Sequence, residues 1–550
     1  MRHRARLLLL GLVAGAGALA ATGLSAPMQQ KGGTLRLSSV HDVDSLDPAI
    51  AWETDSWMLE YATCAKLYNY PDEPGAAGSQ VVPEVATGFP KVSKDGKTQT
   101  IELRRTFRFH TGARITAANF VAAFNRDALP RLKAPVVSAG YLNDLVGAQD
   151  VIDGRAATIS GVRATNAYTL EIRTTKPLLD LVYRLAMPFF CPIATTTPPT
   201  EIDSPLGSGP YYVAAHVRNR QIVLERNPFY RGQRPANVDR VVWSIGNLDP
   251  EACRQAVERN ELDYCFYIPP DDYAGIAAKY GINRANGRFF FTPTLGTFYF
   301  AFNHDRPAFK GEGQIPLKQA INLVVDRHAL AAAGGYLSGR RTDQILPSAM
   351  GRDESIYPLT GVTEQAVARA RALLAKAKYK PTKLVLYTHV PGFLGVNAIW
   401  ADIFRFGLKR LGIDVEIKYL GTTFGQLIPR IGTRGEPFDV TIAAWVPDYP
   451  DGFAFFEPLL DGNNLAPTGN SNFAYFDRPQ YNREIDRIAN LTGEERTQAW
   501  ADLDVEMMRD DPPWVPFMNG TERDFVSKSF GCYVFQAVML GPDLAAACKK

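Results

Sequence analysis

The chain has 550 residues, enough for three or four domains of roughly 150 residues or for one large structure of two lobes, which excludes a small binding module. Its 60 Lys and Arg residues nearly balance 57 Asp and Glu residues, and 46% of the chain is hydrophobic, as in an ordinary globular protein. Because the basic residues form no stripe, the composition argues against a nucleic-acid partner.

The N-terminus predicts export. Three arginines within the first six residues precede an uncharged run at 7–24, and small residues continue to Ala26. This order is typical of a secretory signal peptide, so we expect a signal peptide at 1–26 and a mature chain outside the cytoplasm. The alternative is an uncleaved membrane anchor, for which the run is long enough.

Strands and helices alternate along the first half of the chain. Alternating apolar side chains predict strands at 34–37 and 101–109. Thr116 can cap a helix with apolar residues at helical spacing, and Asp249 followed by Pro250 predicts the start of another helix. Further strands are predicted at 211–213, 222–224, 238–245 and 264–267.

The second half continues this alternation, which predicts an α/β fold. Helices are predicted at 317–330, 364–377 and 398–411, and strands at 413–419 and 438–444. The last strand runs into Trp445 and an aromatic loop, and loops at the carboxyl ends of strands are where α/β sheets bind ligands. We expect the phenylalanines of this loop, at 453, 455 and 456, to be core residues.

The sequence gives little support for catalysis or for a metal site. The seven histidines lack metal-ligand spacing, and no nucleophile-elbow or nucleotide-binding motif occurs. Asp448, Asp451 and Glu457, or the aspartates at 42, 44 and 47, could act as acid and base of an exported hydrolase. Because aspartates are common in turns, we expect no enzyme, no cofactor and no metal, and the hydrolase stays an alternative.

Several motifs occur in one order along nearly the whole mature chain. They are GTLRL at 33–37, SLDP at 45–48, LRR at 103–105, FHTG at 109–112, GSGPY at 207–211, LERNPFYRG at 224–232, FAFN at 300–303, YFD at 475–477 and DPPWVP at 511–516. With these motifs the chain resembles the family 5 extracellular solute-binding proteins, which include the oligopeptide- and dipeptide-binding components of ABC importers.

The resemblance implies a two-lobed, periplasmic-binding-protein-like fold of type II. An extra subdomain belongs to the first lobe, and the ligand cleft lies between lobes that close about a hinge. The implied division is 1–26 for the signal peptide, 32–60, 187–295 and 520–550 for the first lobe, 61–186 for the extra subdomain, and 296–519 for the second lobe.

The segment WVPDY matches the W-x-x-D-Y segment of peptide-binding members, which implies a ligand site of Asp448, Trp445, Val446 and Tyr449. Asp448 would pair with the amino terminus of a peptide, and Trp445 would offer a flat apolar wall. Pro447 departs from the family's usual small residue, and it lacks the N–H that strand-like pairing with a peptide would use.

The implied function is that of an extracytoplasmic receptor, periplasmic or associated with the cell envelope. It would capture peptides or peptide-like solutes and deliver them to an ABC permease with its ATPase, and we expect it to be a monomer. A sensory or chaperone-like binding protein on the same fold is a further alternative, because fold does not determine function. No residue is assigned to a ligand carboxylate.

Export favours disulfides over free thiols. Six cysteines allow 15 pairings, so spacing alone does not decide among them. With the layout that the resemblance implies, we expect the pairs Cys64–Cys191, Cys253–Cys265 and Cys532–Cys548.

Overall fold

The computed structural model describes residues 31–550 except 76, 139, 247, 353 and 391–394. The predicted signal peptide at 1–26 lies outside the described residues. Three sheets of four or more strands, with helices packed around them, make up the α/β fold that the sequence predicts. Among the described residues, no helix has the length and apolar character needed to cross a membrane.

The first sheet has five strands and is built from residues of the predicted first lobe. The opening strand lies parallel to the two strands beside it. The remaining two strands each pair antiparallel with their neighbours. In spatial order the strands are Tyr264–Cys265, Thr34–Ser39, Arg240–Ile245, Gln221–Arg226 and Tyr211–Val217.

A second sheet of six strands forms the predicted second lobe. In spatial order its strands are Gly339–Arg341, Trp514–Phe525, Phe289–Phe302, Val440–Trp445, Lys383–Thr388 and Asp414–Tyr419. Val440–Trp445 lies antiparallel to Phe289–Phe302 and parallel to Lys383–Thr388. The strand that ends at Trp445 is therefore an inner strand, and its carboxyl end leads directly to Asp448.

The two longest strands, Phe289–Phe302 and Trp514–Phe525, connect the second sheet to the first. Their pairing is interrupted between Pro293 and Thr297, and Val526, directly after the second strand, bridges to Tyr264 of the five-stranded sheet. The predicted lobe boundaries at 295/296 and 519/520 lie within these two strands and stay predictions.

A third sheet belongs to the predicted subdomain and is wholly antiparallel. Its strands, in spatial order, are Lys91–Val92, Thr98–Glu102, Thr169–Arg173 and Val162–Asn166. One continuous apolar core joins this sheet to the second lobe, because Ile101, Leu170 and Tyr141 share it with Phe453 and Trp500. The predicted subdomain is thus packed against the second lobe.

The helices occur where capping residues and apolar spacing favour them. Thr116 forms a capping box with Asn119, and the Asp249 side chain accepts a hydrogen bond from the Ala252 N–H at 2.8 Å. The α-helices of the described chain are Thr54–Thr63, Ala117–Asp127, Pro135–Ser138, Ala148–Ile152, Leu181–Arg184, Pro250–Glu258, Tyr273–Tyr280, Ile315–Val324, Arg327–Ala333, Glu364–Lys376, Asn397–Lys409, Phe424–Ile431, Phe453–Leu460, Pro479–Ala489 and Gly493–Asp510.

Three sequence predictions were wrong in extent. The strand predicted at 101–109 is Thr98–Glu102, because the chain then turns back and Phe109 donates its N–H to the carbonyl of Ala113 at 2.9 Å. The helix predicted at 317–330 is two helices, since Asp326 caps the second one through the Ala329 N–H. The loop predicted after Trp445 contains the helix Phe453–Leu460, whose three phenylalanines are core residues, as expected.

The structure brings all six cysteines together in the three expected pairs. Their Cα atoms are 5.9, 6.1 and 5.4 Å apart in Cys64–Cys191, Cys253–Cys265 and Cys532–Cys548, as disulfide geometry requires. The first pair joins the end of the helix Thr54–Thr63 to a segment more than a hundred residues later, and so ties the predicted subdomain to the first lobe at its two ends.

Candidate functional site

The candidate site begins where an inner strand of the six-stranded sheet leaves the sheet. Trp445 is the last residue of that strand and lies opposite Thr297. Pro447, two residues on, has no N–H to continue the ladder, so the chain turns away from the sheet. This turn places Asp448 beyond the carboxyl end of the strand, which is the position where α/β sheets bind ligands.

Asp448 is a partly buried carboxylate that pairs with no cation of the described residues. One oxygen accepts a hydrogen bond from the Tyr141 hydroxyl, and among the described residues nothing binds the other oxygen. Burial raises the pKa of Asp448 to about 6, although the hydrogen bond from Tyr141 opposes that shift. Folding has therefore taken water from this carboxylate, and the part of the chain that the structure describes pairs no positive charge with it.

Trp445 and Val446 form a fixed, partly exposed apolar surface next to this carboxylate. The Trp445 indole N–H donates to the carbonyl of Ala454 at 2.9 Å, which holds the ring in one orientation. Val446 packs close to Gly296 on the adjacent strand, where a Cβ atom would lie 3.2 Å from the Val446 Cγ2. Both residues can contact a ligand held at Asp448, and that contact stays a prediction.

Tyr449 lies in the interior and contacts the predicted subdomain. Its side chain is fully buried, its hydroxyl donates to Asp180 at 2.7 Å, and its ring stacks on Tyr183 at 5.8 Å. Burial, reinforced by the negative charge of Asp180, raises the pKa of Tyr449 well above its usual value. A direct ligand contact by Tyr449 stays a prediction, and its hydroxyl is already occupied.

The other carboxylates proposed for a hydrolase have different environments. Asp451 is held by Arg496 through two hydrogen bonds of 2.7 and 2.9 Å and also accepts the Phe453 N–H. Glu457 lines a separate cavity of about 50 Å³, and burial raises its pKa to about 7. Because Asp448 and Asp451 are bound to different partners, this arrangement does not present two free carboxylates to one substrate bond.

The aspartates at 42, 44 and 47, the other candidates for a hydrolase, are hydrogen-bonded to groups of the first lobe and its predicted subdomain. Asp47 is fully buried and accepts two hydrogen bonds from Arg126, while Asp42 contacts His216. Asp44 accepts the N–H groups of the chain just before the helix Thr54–Thr63. Within the part of the chain that the structure describes, no three His, Cys, Asp or Glu residues could together hold a metal ion.

Sequence reasoning missed the residues that complete the site from the predicted subdomain. Tyr141, Asp180 and Arg184 are the main ones, and nothing in their local sequence marks them. Tyr70 is another, because its buried hydroxyl has no hydrogen-bond partner in the described chain. Burial first, and then the charges of Tyr183 and Asp448, raise the pKa of Tyr70.

Larger cavities lie elsewhere or at the edge of the site. One of about 240 Å³ is lined by residues of both predicted lobes, including Gln80, Leu295 and Trp500. Another, of about 660 Å³, lies among first-lobe and subdomain residues and does not include Asp448. Asp72 lines this cavity and its carboxylate is paired with Arg234, so the cavity lacks the unpaired carboxylate of the Asp448 site.

A comparison with family models matches residues 80–466 to the bacterial extracellular solute-binding proteins, family 5 (middle region). The matched segment includes Asp448 and Tyr141 and covers well over half of the chain.

Individual relatives and solved structures show the same likeness. The periplasmic murein peptide-binding protein MppA of Escherichia coli K12 is 26% identical over 422 residues, which are 74% of this chain and 73% of that protein. The periplasmic oligopeptide-binding protein OppA of Haemophilus influenzae is 25% identical over 77% of this chain and 78% of its own. Among solved structures, clavulanic acid biosynthesis oligopeptide binding protein 2 superposes with a TM-score of 0.82 and 25% identity, over 94% of this chain and 95% of that one.

Proposed function

Since the chain belongs to the family 5 bacterial extracellular solute-binding proteins, we propose that it is the extracytoplasmic receptor of an ABC importer. It captures a peptide or peptide-like solute between its lobes and delivers it to a permease with its ATPase. The relatives named as periplasmic peptide-binding proteins support both the ligand class and a place outside the cytoplasmic membrane.

The observation that carries this proposal is the uncompensated carboxylate of Asp448. A carboxylate that has lost water and has no cation gains a strong, charge-assisted hydrogen bond when a ligand brings an ammonium group. The adjacent Trp445 indole is fixed by its bond to Ala454 and offers an apolar wall to the residue that carries the amine. A free amino terminus or another cationic amine fits this pair of groups.

Pro447 shapes the mode of binding. Without an N–H at this position, the loop donates one hydrogen bond fewer to a peptide backbone. Recognition then depends more on the charged amine at Asp448 than on strand-like pairing, which admits a modified peptide or another cation-bearing solute.

A thermal unfolding experiment tests the proposal. The mature protein is heated with an equimolar mixture of free tripeptides, with the same mixture N-acetylated, and with a set of oligosaccharides, and products are followed by mass spectrometry. Free tripeptides should stabilise the protein without being cleaved, by about 2.7 kcal/mol at a hundred times the Kd, and the acetylated mixture should stabilise it much less. Stabilisation by oligosaccharides with hydrolysis would support the hydrolase instead, and no response to free tripeptides would refute the peptide ligand.

A further inference from the structure

Two consecutive residues of the second lobe make matching contacts with the predicted subdomain. The Tyr141 hydroxyl of the subdomain donates to Asp448, and the Tyr449 hydroxyl of the second lobe donates to Asp180 of the subdomain at 2.7 Å. Each side thus contributes one tyrosine and one aspartate, and the two hydrogen bonds run in opposite directions. We call these two hydrogen bonds, with the four residues that form them, the reciprocal pair.

The reciprocal pair is buried in the contact between the two parts of the molecule. Tyr141 is 6% exposed, Asp180 is 5% exposed and Tyr449 is fully buried. The rings of Tyr141 and Tyr449 lie 6.3 Å apart, so the two hydrogen bonds are neighbours. Separating the subdomain from the second lobe would break both bonds and expose both tyrosines to water.

The two bonds differ in the charge on the accepting carboxylate. Asp180 also accepts the Arg184 Nε–H at 2.9 Å, so its negative charge is met by a cation of its own segment. The Arg184 guanidinium lies over Tyr141 at 5.7 Å and over Phe453 at 5.8 Å, which places it within the same contact. Asp448 has no such cation among the described residues. The accepting carboxylate of one hydrogen bond is therefore paired with a cation, and that of the other is not.

We propose that the reciprocal pair is the latch that closes the predicted subdomain onto the second lobe, and that Tyr141 is the positioning residue that couples closure to a ligand amine at Asp448. This inference rests on the proposed function. Tyr141 occupies one carboxylate oxygen, which leaves the other oxygen for the ammonium of the ligand. The bond from Tyr449 to Asp180 forms with or without a ligand, while the bond from Tyr141 gains strength only when Asp448 is ionised.

The coupling follows from the strength of hydrogen bonds to ions. Below about pH 6, Asp448 of the empty protein is mostly protonated. An ammonium at Asp448 then keeps the carboxylate negative, and a hydroxyl donates more strongly to a negative carboxylate than to a neutral acid. The ligand therefore strengthens the contact from Tyr141, and by thermodynamic reciprocity the docked Tyr141 strengthens the hold on the ligand. An uncharged ligand can fill the cleft but cannot gain this coupling.

Phenylalanine variants separate the two bonds. The variants are Tyr141→Phe and Tyr449→Phe, and Tyr183→Phe is the matched control, because its ring stacks on Tyr449 but its hydroxyl makes no hydrogen bond within the described residues. Small-angle X-ray scattering of the empty protein at pH 5, where Asp448 is mostly protonated, measures opening. Tyr449→Phe should increase the radius of gyration of the empty protein, whereas Tyr141→Phe and Tyr183→Phe should leave it near the wild-type value.

Ligand dissociation then tests the coupling. With tri-L-alanine as the probe at pH 5, Tyr141→Phe should raise the dissociation rate about tenfold, and with N-acetyl-tri-L-alanine it should change the rate by less than twofold. Equal effects on the two probes would overturn the coupling. Unchanged scattering of Tyr449→Phe would overturn the latch.

A measurement without any ligand keeps the inference separate from the proposed function. Carboxyl ¹³C chemical shifts follow the titration of Asp448, and the loss of a hydrogen bond to its ionised form should raise its pKa in Tyr141→Phe but not in Tyr449→Phe. If tri-L-alanine does not bind, the proposed function is wrong for this peptide. The scattering and the titration still test whether the reciprocal pair is a latch. An unchanged titration in Tyr141→Phe contradicts the role of Tyr141.

Discussion

Two aspartates of the predicted second lobe, Asp511 and Asp448, have lost water on folding but differ in what replaced it. Asp511 is 2% exposed, and its two oxygens accept hydrogen bonds from Lys318 and from Arg478, the latter at 2.7 Å. Burial alone would raise its pKa, but Lys318 foremost among the nearby cations holds the pKa below its usual value. Asp448 accepts a hydrogen bond from one tyrosine hydroxyl and pairs with no cation within the described chain, and its pKa is raised to about 6.

The difference separates a structural carboxylate from a binding one. The chain supplies both cations that pair with Asp511, so the charge of Asp511 stabilises the fold. At Asp448 the described residues supply none, and a carboxylate with a perturbed pKa is a candidate for ligand binding. The candidate site is identified by the lack of a paired cation among the described residues, more than by the presence of a carboxylate.

The largest expected effect comes from making the same change at both positions. Asp511→Asn should lower the free energy of unfolding by about 3–5 kcal/mol, because the buried Lys318 and the partly buried Arg478 would lose their counter-charge. Asp448→Asn should not lower it, since the amide oxygen can still accept from Tyr141, no cation loses its partner, and the cost of burying an ionised carboxylate is removed. Urea denaturation measures both, and equal losses would erase the distinction between the two aspartates.

The next largest effect is on affinity, where the order of the two variants should reverse. Asp448→Asn should weaken tri-L-alanine binding by about 1.5–3 kcal/mol, roughly 10- to 150-fold, because a charge-assisted bond to the ammonium is lost. Asp511→Asn, measured at a temperature where it remains folded, should bind nearly as the wild type does. Isothermal titration calorimetry gives both constants, and an unaltered affinity in Asp448→Asn rules out the amine contact.

A smaller effect is expected from pH. With its pKa at about 6, Asp448 is mostly ionised at pH 7 and mostly protonated at pH 5, so affinity for tri-L-alanine should fall about tenfold over this interval. Asp511 stays ionised throughout, because its pKa lies below the usual range. Calorimetry at the two pH values measures the change, and Asp448→Asn is the control that should show none of it.

Rising pH should strengthen ligand binding at Asp448 but reduce the contribution of Asp448 to the stability of the empty protein. The folded, empty protein holds the Asp448 proton more tightly than the unfolded chain does. The contribution of this group to stability is therefore present at low pH and is lost as the pH rises from about 4 to about 6.

The smallest predicted effect concerns the wall beside Asp448. Trp445→Phe keeps an aromatic face but removes the indole N–H that donates to Ala454, so the ring is held less firmly. We expect tri-L-alanine affinity to fall about threefold, corresponding to ~0.6 kcal/mol for one neutral hydrogen bond. A loss as large as that of Asp448→Asn would show that the wall, and not the charge, dominates binding.

Local chemistry explains which elements were predictable. The helix Pro250–Glu258 begins where Asp249 and Pro250 require it, and the helix Ala117–Asp127 begins after Thr116. The predicted helix at 317–330 was wrong at Asp326, where a local cap interrupts the apolar spacing and starts a new helix. Periodicity therefore found the elements, and capping decided their ends.

The sequence by itself determined the family motifs, the α/β alternation, and the strand that ends at Trp445 before Pro447. Only the tertiary structure decided what Asp448 faces. Tyr141 lies 307 residues from Asp448 along the chain, and Asp180 lies 269 residues from Tyr449. The loss of water and the absence of a cation depend on groups that distant segments bring together, so local sequence names the carboxylate while tertiary packing determines its charge environment.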